Sequence, residues 1–230
     1  MYLVADLETG IKEGYGRKGN PWLNQIVAVG VKPEDHKPIS FMVDGPLEET
    51  IEEILDSRAL LIGHNIKFDL LYLWKYQELQ NWIKNGGRIW DTQLAEYYLT
   101  NLQSKMSKLR TIAVEKYGCR AREKKMETYW DKGIDTKDIP QELVLEDVMN
   151  DVLDTEIIYL AQVKKADELK MLPLLSGHME GLLATCEMEY NGMKVDKKTL
   201  AKNRAELQQE LADALATLNE VVRPHWSTDV

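Results

Sequence analysis

The sequence predicts an α/β fold, a mixed β-sheet flanked by helices, and three observations carry that prediction. Three apolar runs of strand length come first, separated by turn residues. A helical stretch then leads into a short apolar run of the kind found in the middle of a sheet. Most of the chain after residue 66 has helical spacing, which supplies layers to cover the sheet.

Residues 2–7 (YLVADL), 25–32 (QIVAVGVK) and 39–45 (ISFMVDG) are the first three expected strands, with turns at GNP (19–21) and KPEDHKP (32–38). PLEETIEEILDS (46–57) opens with proline and carries acids in its first turn, which predicts a helix. ALLIGHN (59–65) suits a central strand. From Lys67 to Lys84 apolar residues recur at three- and four-residue steps, so one continuous helix is expected. RIWDTQLAEYYLT (88–100) reads as a strand running into a helix, and KMSKLRTIAVEKYG (105–118) as a further helix. The polar CRAREKKMETYWDKGIDTKD (119–138) precedes two long helices, one over 141–165 and one beginning at Leu172. EYNGMKVD (189–196) is a turn and an extended piece. Beyond it, residues 197–222 form an amphipathic helix with Leu200, Leu207, Leu211, Leu215 and Leu218 on one stripe.

With 230 residues, 44% of them hydrophobic, the chain can hold one large domain, or one domain and an appended piece. A formal net charge of −9 argues against a protein that coats DNA, though not against one that grips a strand in a local groove. The two cysteines, Cys119 and Cys186, have no paired spacing, so they read as reduced, buried small hydrophobes in a cytoplasmic protein. The apolar stretch at the start is too short for a signal peptide. No run approaches the ~18 apolar residues of a membrane span.

Successive side chains of a strand alternate faces, so Asp6 and Glu8 project together. Two adjacent carboxylates without a counter-charge repel, and one would hold its proton. A divalent cation resolves this, since hard oxygen ligands suit Mg²⁺ or Mn²⁺. An edge strand with one solvated face is the plainer alternative. In GHNIKFDLLYL (63–73) Asn65 caps a turn into a helix and Asp69 lies one turn along. Simple capping beside a solvated aspartate explains that stretch equally well. In DVMNDVLDTEIIYLAQ (147–162), Asp147, Asp151 and Asp154 line one side of a helix, where like charges repel unless a partner offsets them.

Together, DLET (6–9), HNIKFDL (64–70) and DVLDT (151–155) resemble the DEDD 3′–5′ exonuclease superfamily. More closely, they look like the proofreading domain of family A DNA polymerases, of the bacterial polymerase I and phage replicative type. IWDTQLAEYYL (89–99) also matches that group, and MEYNGMKVDKKTL (188–200) looks like the join to a polymerase. The resemblance spans essentially the whole chain. It implies a ribonuclease H-like sheet in an exonuclease domain over residues 1–187. Residues 188–230 would then be the connector and first helix of a truncated polymerase (thumb) region.

The same resemblance implies that Asp6, Glu8, Asp69 and Asp151 bind two divalent cations, Mg²⁺ or Mn²⁺. Thr9 and Asn65 fall where the family contacts the substrate strand, a single-stranded DNA 3′ end. Asp151 is preferred to Asp154 because the family places a threonine four residues after its last acid, and Thr155 fits. The family's water-orienting tyrosine or histidine is missing, and Asp147 and Glu146 stand at those positions. Losing such a group costs ~10²–10⁴ in rate, so reduced activity is expected. Asp147 either accepts a hydrogen bond from the attacking water or is a solvated surface acid.

Three settings compete: an active proofreading exonuclease, a catalytically weak scaffold of the same fold, and a stand-alone RNA-trimming nuclease. The NGMKVD join speaks against the third. CRAREKK (119–125), with Tyr129 and Trp130, offers charge and stacking surfaces to a polyanion, or is a mobile charged loop. The expected location is the cytoplasm of a bacterial cell or a phage-infected host. The leucine stripe of 197–222, without a polymerase to cover it, predicts self-association.

Overall fold

The computed structural model describes residues 1–11, 20–56, 60–103, 106–123 and 125–222. Gly19 of the GNP turn, Ser57, Ala59, Lys105 and Lys124, each inside an expected element, lie outside the described residues. Five strands make one sheet: β1 (Tyr2–Thr9), β2 (Ile26–Pro33), β3 (Ile39–Met42), β4 (Leu60–Gly63) and β5 (Arg88–Asp91). Their order is β3-β2-β1-β4-β5. β1 runs antiparallel to β2 and parallel to β4, β2 antiparallel to β3, and β4 parallel to β5. The sheet is therefore mixed, with β1 at its centre. The continuous apolar run of β2 is buried along almost its whole length, as a strand covered on both faces must be.

The helices are α1 (Glu48–Asp56), α2 (Ile66–Leu73), α3 (Gln77–Lys84), α4 (Thr92–Leu99), α5 (Leu109–Tyr117), α6 (Lys125–Trp130), α7 (Gln141–Glu168), α8 (Leu172–Asn191) and α9 (Lys197–Val222). The continuous helix expected from Lys67 to Lys84 is in fact two. Tyr76 is extended (φ −88°, ψ 133°) and starts α3. The break lets two faces be buried in different directions: Leu70, Tyr72 and Leu73 before it, Leu79 and Trp82 after it. Trp82 lies so close to Gly87 that a Cβ there would sit 2.3 Å from the indole.

α7 packs across β2, β1, β3 and β4 and carries the third group of acids. Its close approach depends on Gly30, which pairs with Asp6 in the sheet. A Cβ at that position would lie 2.9 Å from Val148 Cγ2 and 3.0 Å from the Val148 carbonyl oxygen. Gly30→Ala must therefore push α7 outward or bend β2. A loss of ~1–3 kcal/mol is expected, and urea unfolding of the two proteins measures it.

A buried polar knot fixes α5 and α4 against α7. Glu96, 4% exposed, accepts hydrogen bonds from Lys116 Nζ (2.8 Å), the Tyr117 hydroxyl (2.5 Å) and Gln162 Nε2 (3.1 Å). Gln162 also donates to the Thr92 carbonyl (2.8 Å) and accepts from Trp90 Nε1 (3.2 Å). A carboxylate this deep is tolerated because charge-assisted donors surround it.

The chain divides into two units, Met1–Tyr190 and Asn191–Val230. In the second, Asp196 caps α9 by accepting the Lys198 (2.9 Å) and Thr199 (3.3 Å) amides. None of the described residues of α9 is buried, so its leucine stripe has no partner inside that unit. Concentration-dependent association is the expected result of sedimentation, and a clean monomer at high concentration would count against it. Among the described residues, no helix is long and apolar enough to cross a membrane.

Candidate active site

β1 points alternate side chains at α7. The Tyr2 hydroxyl donates to Glu156 of α7 (2.8 Å), and the Tyr2 and Tyr159 rings meet edge to face at 5.1 Å. Asp6 and Glu8 share the parity of Tyr2 and so share that face. Their cross-strand partners on β2 are Gly30 and Ala28, small residues that leave room beside the carboxylates. The register then shifts between Glu8 and Thr9, a bulge of the kind that re-aims a strand end. Beyond it the Thr9 carbonyl accepts the Thr136 hydroxyl (2.7 Å), and the Ile11 amide donates to Asp135 (2.8 Å).

Asp69 arrives from the other side, on the first turn of α2. Asn65 begins that helix in the left-handed region (φ 58°, ψ 43°) and makes no side-chain cap hydrogen bond, contrary to the capping role its sequence suggests. The turn is held instead by Asp91, 3% exposed. Its Oδ1 accepts the amides of Asn65 (3.0 Å), Gln93 (2.8 Å) and Leu94 (3.2 Å). One carboxylate thus caps α4 and positions the start of α2, because asparagine tolerates the left-handed backbone that this sharp entry requires. Asp69 is buried and accepts the Leu7 amide (3.1 Å), which ties α2 to the strand between Asp6 and Glu8.

Asp147, Asp151 and Asp154 lie along one side of α7, and two arginines face them. Arg110 of α5 pairs with Asp147, and its Nε lies 3.8 Å from Asp151 Oδ1. Arg122 Nη2 contacts Asp151 Oδ1 at 2.8 Å and Asp154 Oδ2 at 2.5 Å. The three carboxylates are only 13–16% exposed, so Asp147 is an ion-pair partner and no solvated surface acid. Two basic residues of the stretch at 119–125 also contact acids of the protein. Arg122 turns inward, Lys125 lies 3.7 Å from Glu146, and Tyr129 and Trp130 pack on a small core with Met126 and Val144. Cys186 is buried as expected, but Cys119 is only partly so and stands beside Asp154.

Burial dominates the electrostatics. It pushes the Asp6 carboxyl well above its ordinary range, and Asp69, Asp151, Glu8 and Asp147 push it further. Burial and the neighbouring aspartates Asp147 and Asp151 raise Glu8 to about 8, against a smaller lowering by Arg110. Asp69 is raised to about 8, chiefly by burial, although the Leu7 amide lowers it. Asp151 reaches only about 6, because Arg110 and Arg122 offset its burial and the Asp147 charge.

The fold therefore brings Asp6, Glu8, Asp69, Asp151 and Asp147 within electrostatic reach of one another. Among the described residues, no three His, Cys, Asp or Glu side chains already converge as ligands on one point. The contacts explain why: Asp147 and Asp151 are turned to arginines, and Asp69 to an amide. The donor set itself, carboxylate oxygens under mutual repulsion, is of the kind that hard divalent cations satisfy.

Arg110 and Asp91 are the residues that sequence reasoning missed. The available signal was the stack of three aspartates on one helix face, which demands a counter-charge that a distant arginine can supply as well as a metal. Arg122→Gln leaves Asp154 without its arginine contact and Asp151 with only the longer one to Arg110. A stability loss of ~1–3 kcal/mol is expected for the metal-free protein, read from chemical denaturation in EDTA.

No family model matches the chain, and no curated protein matches it. Solved structures do. Brucella melitensis NrnC shares 15% identity over 83% of this chain and 85% of its own, with a TM-score of 0.64. NrnC bound to pGG matches at 16% identity over 85% and 88%, with a TM-score of 0.65. NrnC with bound Mg²⁺ matches at 16% over 85% and 89%, with a TM-score of 0.60. The fold of this chain, a five-stranded mixed sheet flanked by helices, is therefore that of a nuclease of known structure.

Proposed function

We propose that this chain is a divalent-cation-dependent nuclease that removes nucleotides from the 3′ end of single-stranded nucleic acid. One observation carries the reading. Asp6, Glu8, Asp69 and Asp151, from three distant stretches of sequence, lie within electrostatic reach of one another around the central strand, with raised proton affinities and too little positive charge between them. Such a cluster is costly to keep unless a ligand uses it.

Those four acids would hold two Mg²⁺ or Mn²⁺ ions, which when bound acidify the attacking water and stabilise charge on the departing 3′ oxygen. The chain's own residues do the rest. Asp91 and the Asn65 turn set the position of Asp69, and Gly30 sets the depth of α7 and hence of Asp151. Asp151 must exchange Arg122 for a cation, which leaves that guanidinium held by Asp154 and with a donor to spare for a substrate phosphate. Asp147 stands where the resembling family orients water, and its Arg110 partner fixes the carboxylate in place. Thr9, on the bulge beside Glu8, and Asn65, at the start of α2, flank the acids as contacts for the terminal nucleotide.

Two settings for this activity remain, proofreading for a family A polymerase and action as a nuclease on its own. The second is favoured by a specific observation. The NrnC chains are matched over 85–89% of their own length, which leaves little of them for a polymerase. The NrnC structure holding pGG also makes short strands, RNA included, reasonable substrates to try.

The test is digestion of 5′-labelled single-stranded DNA and RNA oligonucleotides with Mg²⁺, with Mn²⁺ and with EDTA. A metal-dependent ladder shortening from the 3′ end is the expected result. Intact oligonucleotides with both metals would sink the proposal and favour a scaffold of the same fold.

A further inference from the structure

Near the end of β1 the surface carries an aromatic groove that the acids do not use. It is lined by residues 21–25, by Leu71 of α2 and Lys75 just past its end, and by Tyr190 of α8. Trp22 is 57% exposed, and its ring stacks on Tyr190 with centroids 6.0 Å apart and planes 25° from parallel. Behind Tyr190 lies Trp74, at 6.4 Å and 41°, itself only 6% exposed. The three rings form a ladder anchored at its inner end, so the outer indole is held in place while one face meets solvent. A planar apolar surface fixed in this way, with an exposed lysine at its edge, suits a flat aromatic ligand attached to an anion.

The floor of the groove is polar and incompletely satisfied. Asn24 is 9% exposed, and its Nδ2 donates to the Gly10 carbonyl (2.6 Å), but its Oδ1 has no donor. The hydroxyl of Tyr72, buried on α2, also completes no hydrogen bond of ordinary geometry, although Thr9 and Asn24 stand near it. Both atoms are enclosed within the protein, so the surface that the groove offers to a ligand is the aromatic one. The groove also adjoins the acids. Gly10 follows Thr9, its amide donates to the Gln25 carbonyl (2.9 Å), and Thr9 pairs with Ile26. The groove floor is therefore hydrogen-bonded to the chain two residues beyond Glu8.

We propose that this groove is a nucleobase subsite for the single strand whose 3′ end the acids cleave, an inference that rests on the nuclease reading. One base stacks on the outer face of Trp22, and Lys75 meets a backbone phosphate. Every base has a π-face, so the subsite tolerates sequence and contributes affinity for strand length.

The experiment measures binding of short phosphorothioate DNA strands, which resist hydrolysis, each with 2-aminopurine at one position, in Mg²⁺. Quenching at one particular position in the wild-type protein is the expected sign of stacking. Trp22→Ala should remove that quenching and weaken binding about tenfold. Trp22→Phe should restore most of both, and Lys75→Ala should flatten the salt dependence of binding. Melting temperatures of the three variants, compared with wild type, report whether the fold is kept. If Trp22→Ala unfolds, the rescue by Trp22→Phe and the position-specific quenching still decide the matter. Wild-type protein that binds no strand overturns the nuclease reading and the subsite together. Wild-type binding with unaltered affinity and quenching in Trp22→Ala overturns the subsite alone and leaves the groove to another class of ligand, such as a peptide.

Discussion

Replacing Asp6 with asparagine is expected to abolish hydrolysis while raising the melting temperature of the metal-free protein. Both effects arise from one position. Asp6 sits on the central strand opposite Gly30, and burial together with Asp69, Asp151, Glu8 and Asp147 raises its proton affinity. In the absence of metal the fold must bury either a charge amid like charges or a proton bound against the solvent's preference, and asparagine relieves that conflict at equal size. A gain on the order of 1–3 kcal/mol at neutral pH is reasonable. Under the proposed function the same change removes one of the cation-holding carboxylates, so a loss of at least ~10³ in rate is expected. Thermal melts in EDTA and in Mg²⁺, beside an oligonucleotide assay, check both halves. With saturating Mg²⁺ the order of stability should reverse, because the wild type gains binding energy that the variant lacks. A variant that melts lower in EDTA would mean that Asp6 supports the fold and does not strain it.

The second large effect is on pH. Glu8 and Asp69 titrate at about 8 in the folded protein, far above their ordinary values. Between roughly pH 4 and pH 8 the folded state therefore holds protons that the unfolded chain has released. Stability falls with rising pH wherever the folded state binds more protons, so this contribution is complete below the unfolded pKa values and is lost as pH rises through about 8. Asp151, at about 6, loses its part earlier in the same window. The titrations are linked through mutual repulsion, so the combined loss is on the order of several kcal/mol and less than a sum of independent shifts. Urea midpoints in EDTA at pH 5.5, 7 and 8.5 should fall in that order. Mg²⁺ should flatten the trend, since a bound cation favours the ionised carboxylates. A metal-free protein whose stability rises across this range would show that the acids are already satisfied within the chain.

Much of this site could be read from residue patterns. The pairing of Asp6 with Glu8 needed only the two-residue period of a strand, and the row of Asp147, Asp151 and Asp154 only the helical repeat. Local periodicity decides which way a side chain faces on its own element. It does not decide where an element stops when two apolar faces compete, which is why the expected helix from Lys67 to Lys84 breaks at Tyr76. Nor does it show what lies opposite. Arg110 and Arg122 are ordinary helix and loop residues in sequence, and their contacts with Asp147, Asp151 and Asp154 exist only because α5 and the chain after it pack against α7.

The capping of the β4–α2 turn shows the same division. Asn65 in front of an apolar helix is a reasonable cap by composition, yet the hydrogen bonds come from Asp91, which becomes a neighbour only when β5 adds beside β4. By itself the sequence determined the α/β class, the strands and helices that carry the acids, and the face each acid presents. These depend on hydrophobic period and turn chemistry, which act over a few residues. The tertiary structure alone decided the meeting of β1, α2 and α7, the arginines that occupy Asp147 and Asp151, and the aromatic groove between Trp22 and Tyr190. Those arise from long-range burial, where a charge or a ring is set by whatever the sheet order and helix packing bring against it.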